Sequence, residues 1–327
     1  MKASKSEASS NHMLFNLTHP AEDRFCFGEV FSVACVLLLV EDSQVHFQYM
    51  SNLKQEWVAG FFEGLFEKEE IRKKISKKKS LSGGCTVSLN KSHELIFHAL
   101  KDRPDILRLD FTDQFTSRLP ARYMKVVHQF VASRLENAWV RWHSPKKAVI
   151  FSVRNSSVEP EKNLTLEKYH SICATLVEEG VDAVFFIGDP LPKMPKQRKK
   201  SKVLFENTFE HLVARYPMIQ FVNFCSYDKG LSSGGVPNSH LFQAQVYFIS
   251  QLKARYQINV AVGASSGGVH MLGLLGLNAV FEEQNSNRFS SIRCSPENTR
   301  PTFFPFSEYS GDLPDGLEAR LRSAFSN

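Results

Sequence analysis

The sequence predicts an α/β protein with two Rossmann-like domains, and three observations lead to this prediction. Short apolar runs alternate with amphipathic helical segments after residue 148, as in a parallel sheet covered by helices. The first half repeats this alternation less regularly. A chain of 327 residues, 43% of them hydrophobic, is long enough for two cores. We therefore expect two such domains facing a cleft.

The first half contains the less regular elements. Polar and apolar residues alternate at Gln44–Tyr49 as in a strand, whereas Trp57, Phe61 and Leu65 have helical spacing. The predicted order is strand Met13–Leu17, helical run Val30–Val40, strand Gln44–Tyr49, helix Gln55–Phe66, strand Cys85–Leu89, helix His93–Leu100, strand Ile106–Phe111 and helix Arg122–Leu135.

The second half has a cleaner pattern. Ala148–Val153 is a continuous apolar run typical of a buried parallel strand, and Gly180 ends the helix that follows it. The predicted order is strand Ala148–Val153, helix Leu166–Glu179, strand Val181–Ile187, helix Val203–Tyr216, strand Ile219–Phe224, helix His240–Tyr256 and strand Ile258–Val262, followed by a turn, a short helix and a last strand.

These patterns give three parts to the chain. Residues 1–12 form a polar tail that we expect to be disordered, and the segment WHSPKK at 142–147 is expected to mark the domain boundary. The predicted domains are residues 13–145 and residues 146–327.

Charge and cysteine usage narrow the class of protein. The net charge of +6 comes largely from Lys68–Lys79 and Lys193–Lys202. Such runs are usually solvated, and the alternative is attraction to a polyanion or an anionic membrane. The six cysteines have no C-x-x-C spacing, the N-terminus lacks the apolar core of a signal peptide, and Val30–Val40 is too short to span a bilayer. We expect a cytoplasmic protein.

The most informative motif is the turn Gly263-Ala-Ser-Ser-Gly-Gly-Val-His270, between an apolar strand and an apolar helix. Ser265, Ser266, Gly267 and Gly268 would leave backbone N–H groups exposed at the start of the helix, which suits a phosphate. His270 follows one turn later. It is either a buried histidine of the core or a residue that faces the ligand.

Other candidates follow the remaining strands, because ligands bind at the carboxyl ends of a doubly wound sheet. Arg154 and Lys162 could hold a phosphate, although Arg154 could equally pair with Glu159 or Glu161. Cys225 and Ser226 could line a nucleobase or ribose site, or belong to a plain loop.

In the first half, Gly28-Glu29 precedes an apolar helix in the loop after the first strand. Glu29 could act as a general base, or it could be an acid favoured by the dipole at the start of a helix.

Several motifs are missing from the sequence. It has no G-x-G-x-x-G and no G-x-x-x-x-G-K-[ST], which argues against a dinucleotide oxidoreductase and a P-loop NTPase. It also lacks D-x-D and any spacing of His, Asp and Glu that suggests a metal cage.

With these residues in view, the chain resembles the GT-B glycosyltransferases, most closely the heptosyltransferase-like (ADP-heptose transferase-type) group. That group has a turn of the form G-x-D-S-G-x-x-H, which Gly263, Ser266, Gly267 and His270 match in order, with Gly276 at the following turn. Lys162 begins a stretch similar to the family's K-x-W-x-x-E segment. Gly28-Glu29 is similar to its G-D entry segment. The chain departs from the pattern at Ser265 and Asn278, which replace an aspartate and a proline.

The resemblance implies a function and a mechanism. The donor's diphosphate would bind the Ser265–Gly268 turn with help from Arg154 or Lys162, and neither a metal nor a cofactor would be needed. Glu29 would deprotonate a hydroxyl of a glycan or glycolipid acceptor. Lys68–Lys79 could make peripheral contact with a membrane, and no nucleic acid is expected. The alternatives are a sugar-nucleotide epimerase or hydrolase of the same fold and a non-catalytic sugar-nucleotide-binding protein.

Overall fold

The computed structural model divides the chain into two compact units, Met1–Asp105 and Ile106–Asn327. It describes residues 13–18, 31, 34–35, 37–38, 45–50, 75–78, 85–88, 110–138, 145–154, 163–189, 195–264, 267–283, 306–310 and 316–326.

The first unit contains a four-stranded sheet in which every pairing is parallel. The spatial order is β3-β2-β1-β4, so the first strand is internal and the fourth lies on its other side. The strands are β1 (Met13–Thr18), β2 (Val45–Met50), β3 (Ile75–Lys78) and β4 (Cys85–Ser88). Residues 31, 34, 35, 37 and 38 are helical, as predicted for Val30–Val40.

The second unit contains a six-stranded, wholly parallel sheet in the order β10-β9-β8-β5-β6-β7. Counted from its own first strand, this order is that of a Rossmann fold, and the first unit shows the first four strands of the same order. The strands are β5 (Ala148–Arg154), β6 (Ala183–Asp189), β7 (Gln220–Asn223), β8 (Val260–Ala264), β9 (Asn278–Glu283) and β10 (Phe306–Ser310). The predicted α/β class with two parallel sheets is confirmed.

Eight helices have described bounds in the second unit. They are α1 (Thr112–Thr116), α2 (Ala121–Ala138), α3 (Leu166–Glu178), α4 (Pro195–Arg215), α5 (Tyr227–Ser233), α6 (Asn238–Tyr256), α7 (Gly267–Leu274) and α8 (Gly316–Ser326).

Helices cover both faces of the second sheet. Successive strand residues point to opposite sides, so neighbouring residues of one strand contact different helices. Phe186 of β6 meets Phe205 of α4 with 6.4 Å between ring centres, whereas its neighbour Phe185 meets Tyr256 of α6 at 4.9 Å. On the first of these faces, α3 and α8 join α4 over β5 in one apolar cluster. Phe151 lies at its centre, fully buried and stacked on Tyr169 of α3 at 5.1 Å.

Helices α1 and α2 pack on α6, which places them with the second unit. Phe115 contacts Phe242 with 5.1 Å between ring centres, and Phe130 contacts Phe248 at 6.0 Å. The sequence put the domain boundary near residue 145. The compact units instead divide after Asp105, because this helix pair buries its apolar residues against α6.

Two more segments differ from the sequence-based prediction. Residues 195–202 were expected to be a loop and are the first turns of α4. In the predicted strand 106–111, only Asp110 and Phe111 are described, and neither is in a strand. The predicted helices 55–66 and 93–100 lie outside the described residues.

Asp110, near the start of the second unit, is linked through Lys253 to the ends of α6 and α7. Lys253 of α6 donates to the Asp110 carboxylate at 3.0 Å and to the Leu275 carbonyl, at the end of α7. We call this group the Asp110 clasp. Nearby, the Phe111 N–H donates to the Leu274 carbonyl at 3.0 Å. Gly276 has a φ of +79°, and a Cβ on it would lie 2.3 Å from Oδ2 of Asp110. A side chain at position 276 would therefore break the clasp.

Gly188, near the end of β6, provides a test of close packing at the sheet. It has a φ of +108°, and a Cβ there would lie 2.3 Å from the Val153 carbonyl oxygen. We expect Gly188→Ala to lower the free energy of unfolding by about 3 kcal/mol, through strain plus the clash. Gly235→Ala is the matched control, since its φ is +98° with no atom within 4 Å of the added methyl. Urea unfolding of both variants measures the difference, and equal losses would contradict the role of close packing.

Two histidines predict how stability depends on pH. The pKa of His240 is lowered mainly by burial and to a smaller extent by the charge of Arg122. The pKa of His170 is lowered mainly by burial and to a smaller extent by the charges of His211 and Arg215. Both are thus held neutral in the folded chain, and the unfolded chain binds more protons below about pH 6.5. The free energy of unfolding should therefore fall as the pH drops from 7 to 5.5. Urea titrations of His170→Gln/His240→Gln should show a smaller fall. An unchanged pH dependence would exclude these two groups as its source.

Candidate functional site

The strand order of the second sheet reverses between β5 and β8. From β5 the chain adds β6 and β7 on one side and then crosses to add β8 on the other. In open α/β sheets, ligands bind in the crevice that such a reversal leaves at the carboxyl ends of the strands. The candidate site is therefore the crevice above the ends of β5 and β8.

Two groups of predicted site residues flank this crevice. Arg154 is the last residue of β5 and is half-buried. The turn 265–268 directly follows β8, and α7 begins within it at Gly267. Because β5 and β8 are paired through Ser152 and Gly263, the arginine and the turn emerge from neighbouring strands. The structure thus brings together the two groups that the sequence identified separately.

Gly263 has a structural role that the sequence did not suggest. A Cβ at this position would lie 2.4 Å from the Ser152 carbonyl oxygen, so β8 can approach β5 closely only with glycine there. Gly276 is likewise explained by the Asp110 clasp. Gly267 and Gly268 are the first two residues of α7, where the sequence predicts the anion site.

Helix α7 is buried along nearly its whole length. Val269, Met271, Leu272 and Leu274 are all at most 2% exposed, and Val269 packs on Ala279 and Phe281 of β9. The middle and the end of this helix are therefore fixed by the residues that pack around them. His270 is in the first turn of this helix, and its side chain is not among those described.

Asp189 stands beside Arg154 at the edge of the sheet. It ends β6 and is the register partner of Arg154 in the pairing of β5 with β6.

Cys225 and Ser226 lie away from the crevice. They follow β7, the edge strand, which is two strands from β5 and hence about 10 Å distant. Ser226 has a φ of +59°, its N–H donates to the Gly188 carbonyl at 2.7 Å, and α5 begins at the next residue. These contacts identify the pair as a tight strand-to-helix turn.

Four predicted site residues lie outside the described part of the chain. They are Glu29, Lys162, Ser265 and Ser266. Glu29 lies in the first unit, after β1, the strand at which that sheet also reverses its order. Each sheet thus reverses its order beside its own first strand.

The basic segment Lys68–Lys79 overlaps an edge strand. Lys77 and Lys78 belong to β3, which pairs with β2 on one side only. Lysines on an edge strand discourage pairing with another chain. This role would explain Lys77 and Lys78 without a binding partner for the lysine run.

A cavity of about 490 Å³ lies elsewhere, at the amino end of β8. Asp110, Ser250, Lys253 and Ile258 line it, beside the clasp. It is at the edge of the sheet opposite to the crevice and is not the predicted donor site. Across the described ranges, no three residues among His, Cys, Asp and Glu converge as metal ligands. In the same ranges, no helix has the length and apolarity needed to cross a bilayer.

Comparison with known proteins gives one similar structure to report. No protein-family model matches the chain, and no curated protein matches its sequence. The solved structure of E. coli ADP-heptose LPS heptosyltransferase II matches 96% of this chain and 97% of its own, with a TM-score of 0.42 and 12% identity. The matched protein is from the group that the sequence motifs resemble. At this identity and TM-score, the match says nothing of substrate or reaction.

The crevice predicts which substitutions weaken the binding of a nucleoside diphosphate. We expect Arg154→Ala to weaken it by about tenfold to a hundredfold, since a hydrogen bond to a charged group contributes about 1.5–3 kcal/mol. Ser226→Ala, at the turn after β7, should change the affinity by less than about twofold. Isothermal titration calorimetry of both variants, each checked for native circular dichroism, makes the comparison. A loss at Ser226 with none at Arg154 would place the ligand at the edge strand instead.

Proposed function

We propose that the protein is a metal-independent glycosyltransferase that moves a sugar from a nucleotide-diphosphate donor to a hydroxyl of a glycan or glycolipid acceptor. One observation carries the proposal. The Ser/Gly turn and Arg154 flank the same reversal of strand order in a Rossmann-type sheet. Both a positive side chain and a set of backbone N–H groups are thereby available to one diphosphate.

Donor binding would begin at the turn. The first N–H groups of α7 would donate hydrogen bonds to one phosphate. Gly267 and Gly268 would allow the phosphate to approach closely because they have no side chain. Arg154, at the end of the neighbouring strand β5, would hold the other phosphate. Lys162 would add a further positive charge.

Transfer would need a base and a stabilised leaving group. Glu29 would remove the proton of the acceptor hydroxyl as that oxygen attacks the anomeric carbon and the bond to the donor phosphate breaks. Negative charge then develops on the departing nucleoside diphosphate. The buried α7 holds its N–H groups in position to stabilise that charge without reorganisation.

The resemblance to GT-B enzymes supports this assignment through the order Gly263, Ser266, Gly267 and His270. Two of the glycines in the wider pattern, Gly263 and Gly276, also have packing roles. Gly263 and Gly276 are therefore evidence for the fold, whereas Ser266, Gly267 and Arg154 are the residues proposed to bind the diphosphate. A cytoplasmic location agrees with the proposed donor.

A thermal-shift panel tests donor binding first. A nucleoside diphosphate or sugar nucleotide at one hundred times its Kd should stabilise the folded chain by about 2.7 kcal/mol. The midpoint should rise for nucleotides that carry the correct base and stay unchanged for the corresponding nucleosides. If no member of the panel raises the midpoint, the donor site is not in this protein.

Glu29→Gln separates binding from transfer. It should reduce transfer by at least about 10²-fold, as expected for loss of a general base, while donor affinity stays within about twofold of the parent. Transfer is measured as the release of nucleoside diphosphate in the presence of acceptor. Release without acceptor would instead favour a hydrolase, and binding without any turnover would favour a sugar-nucleotide-binding protein. Turnover that survives in Glu29→Gln would assign the base elsewhere.

A further inference from the structure

Two histidines meet at the surface where α3 packs beside α4. His170 of α3 is half-buried and His211 of α4 is exposed. Their ring centres are 5.1 Å apart with 73° between the ring planes, so the rings do not stack. Both helices pack on one face of the second sheet, whereas the crevice lies at the carboxyl edge of that sheet. The histidine pair is therefore not part of the candidate donor site.

Tyr216 determines which ring nitrogen of His170 carries the hydrogen. The Tyr216 hydroxyl donates to the backbone carbonyl of His170 at 2.9 Å, and the same oxygen lies 3.2 Å from Nδ1 of the ring. Since a hydroxyl has only one proton to donate, its oxygen accepts from Nδ1, which must carry the hydrogen. Nε2 then keeps its lone pair. A hydrogen bond from one ring nitrogen to an oxygen is also what orients histidines that bind metals through the other nitrogen.

The separation of the two rings fits a shared metal ion. Two imidazoles that bind one tetrahedral Zn²⁺ at about 2.0–2.1 Å from each nitrogen have ring centres about 5 Å apart. The observed distance between His170 and His211 is 5.1 Å. Because His211 is exposed and the ring torsion of histidine is broad, its ring can turn a nitrogen towards Nε2 of His170. The two side chains thus need only a ring rotation to bind one ion.

The surroundings of His170 keep its ring in the form that metals require. The pKa of His170 is lowered mainly by burial, and to a smaller extent by the charges of His211 and Arg215. The ring is therefore neutral at pH 7, as a metal ligand must be. Glu167, three residues earlier on α3, acts in the opposite direction on this pKa. Its negative charge favours a cation at the pair, whereas that of Arg215 opposes one.

We propose that His170 and His211 bind a divalent transition-metal ion between α3 and α4, with Zn²⁺ as the best fit to the ring separation. Imidazole nitrogens suit Zn²⁺, whereas Mg²⁺ prefers oxygen ligands. Within the described ranges no third His, Cys, Asp or Glu converges on the pair, so water completes the coordination. The metal joins two helices and takes no part in the proposed transfer.

Isothermal titration calorimetry of the EDTA-treated, dialysed full-length protein with Zn²⁺ tests this site. His211→Gln changes an exposed position and should remove one equivalent of Zn²⁺ binding. Tyr216→Phe keeps both ligands but loses the group that orients His170, and it should weaken the binding by about tenfold to a hundredfold. Zn²⁺ should raise the thermal midpoint of the parent more than that of His211→Gln, and Mg²⁺ should leave both unchanged.

The matched control is His128→Gln. His128 is likewise exposed, with Nε2 at 2.9 Å from the Tyr247 hydroxyl, but its ring stacks on that tyrosine and, among the described residues, on no second histidine. This variant should bind Zn²⁺ as the parent does. Equal losses in His128→Gln and His211→Gln would assign the binding to surface histidines in general and overturn the shared site. So would parental stoichiometry and affinity in His211→Gln, or a parent that binds no Zn²⁺.

Discussion

The close approach of β8 to β5 is the constraint on which the second unit depends. At the pairing of Ser152 with Gly263 there is no space for a Cβ, so only glycine lets the chain cross back and lie against its first strand. Without that pairing the sheet would have no reversal of order, and β9 and β10 would have no strand to extend. The crevice and the position of the Ser/Gly turn both follow from the pairing of β8 with β5.

This constraint changes how the motif is understood. In sequence, the run of glycines suggested several positions selected for phosphate. In the structure, Gly263 serves strand packing and Gly276 serves the end of α7, so fewer glycines remain to account for a ligand. Gly267 and Gly268 at the start of α7, with the neighbouring Arg154, remain the candidates for an anion site.

The parts of the fold that could be predicted from sequence are those whose residues show a clear period. Ala148–Val153 and Leu166–Glu179 correspond closely to β5 and α3, because a buried run and an amphipathic stripe are visible locally. The start of α4 was missed because its lysines and Arg198 have no apolar spacing, and Phe205, Phe209 and Leu212 hold the helix from further along. The order of strands was not predictable, since it depends on contacts between distant segments such as Ser152 and Gly263. Arg154 and the Ser/Gly turn were identified separately, but that they are neighbours depends on this order.

The Asp110 clasp gives α7 a second role, because this helix connects the proposed diphosphate turn to the start of the second unit. One end of this eight-residue helix, about 12 Å long, is the turn proposed to hold a diphosphate. Its other end is bonded to Phe111 and Lys253, just after the point where the chain leaves the first unit. Val269, Met271, Leu272 and Leu274 of this helix are buried, so its neighbours hold it in place. The clasp therefore fixes the position of the proposed diphosphate turn relative to the first residues of the second unit.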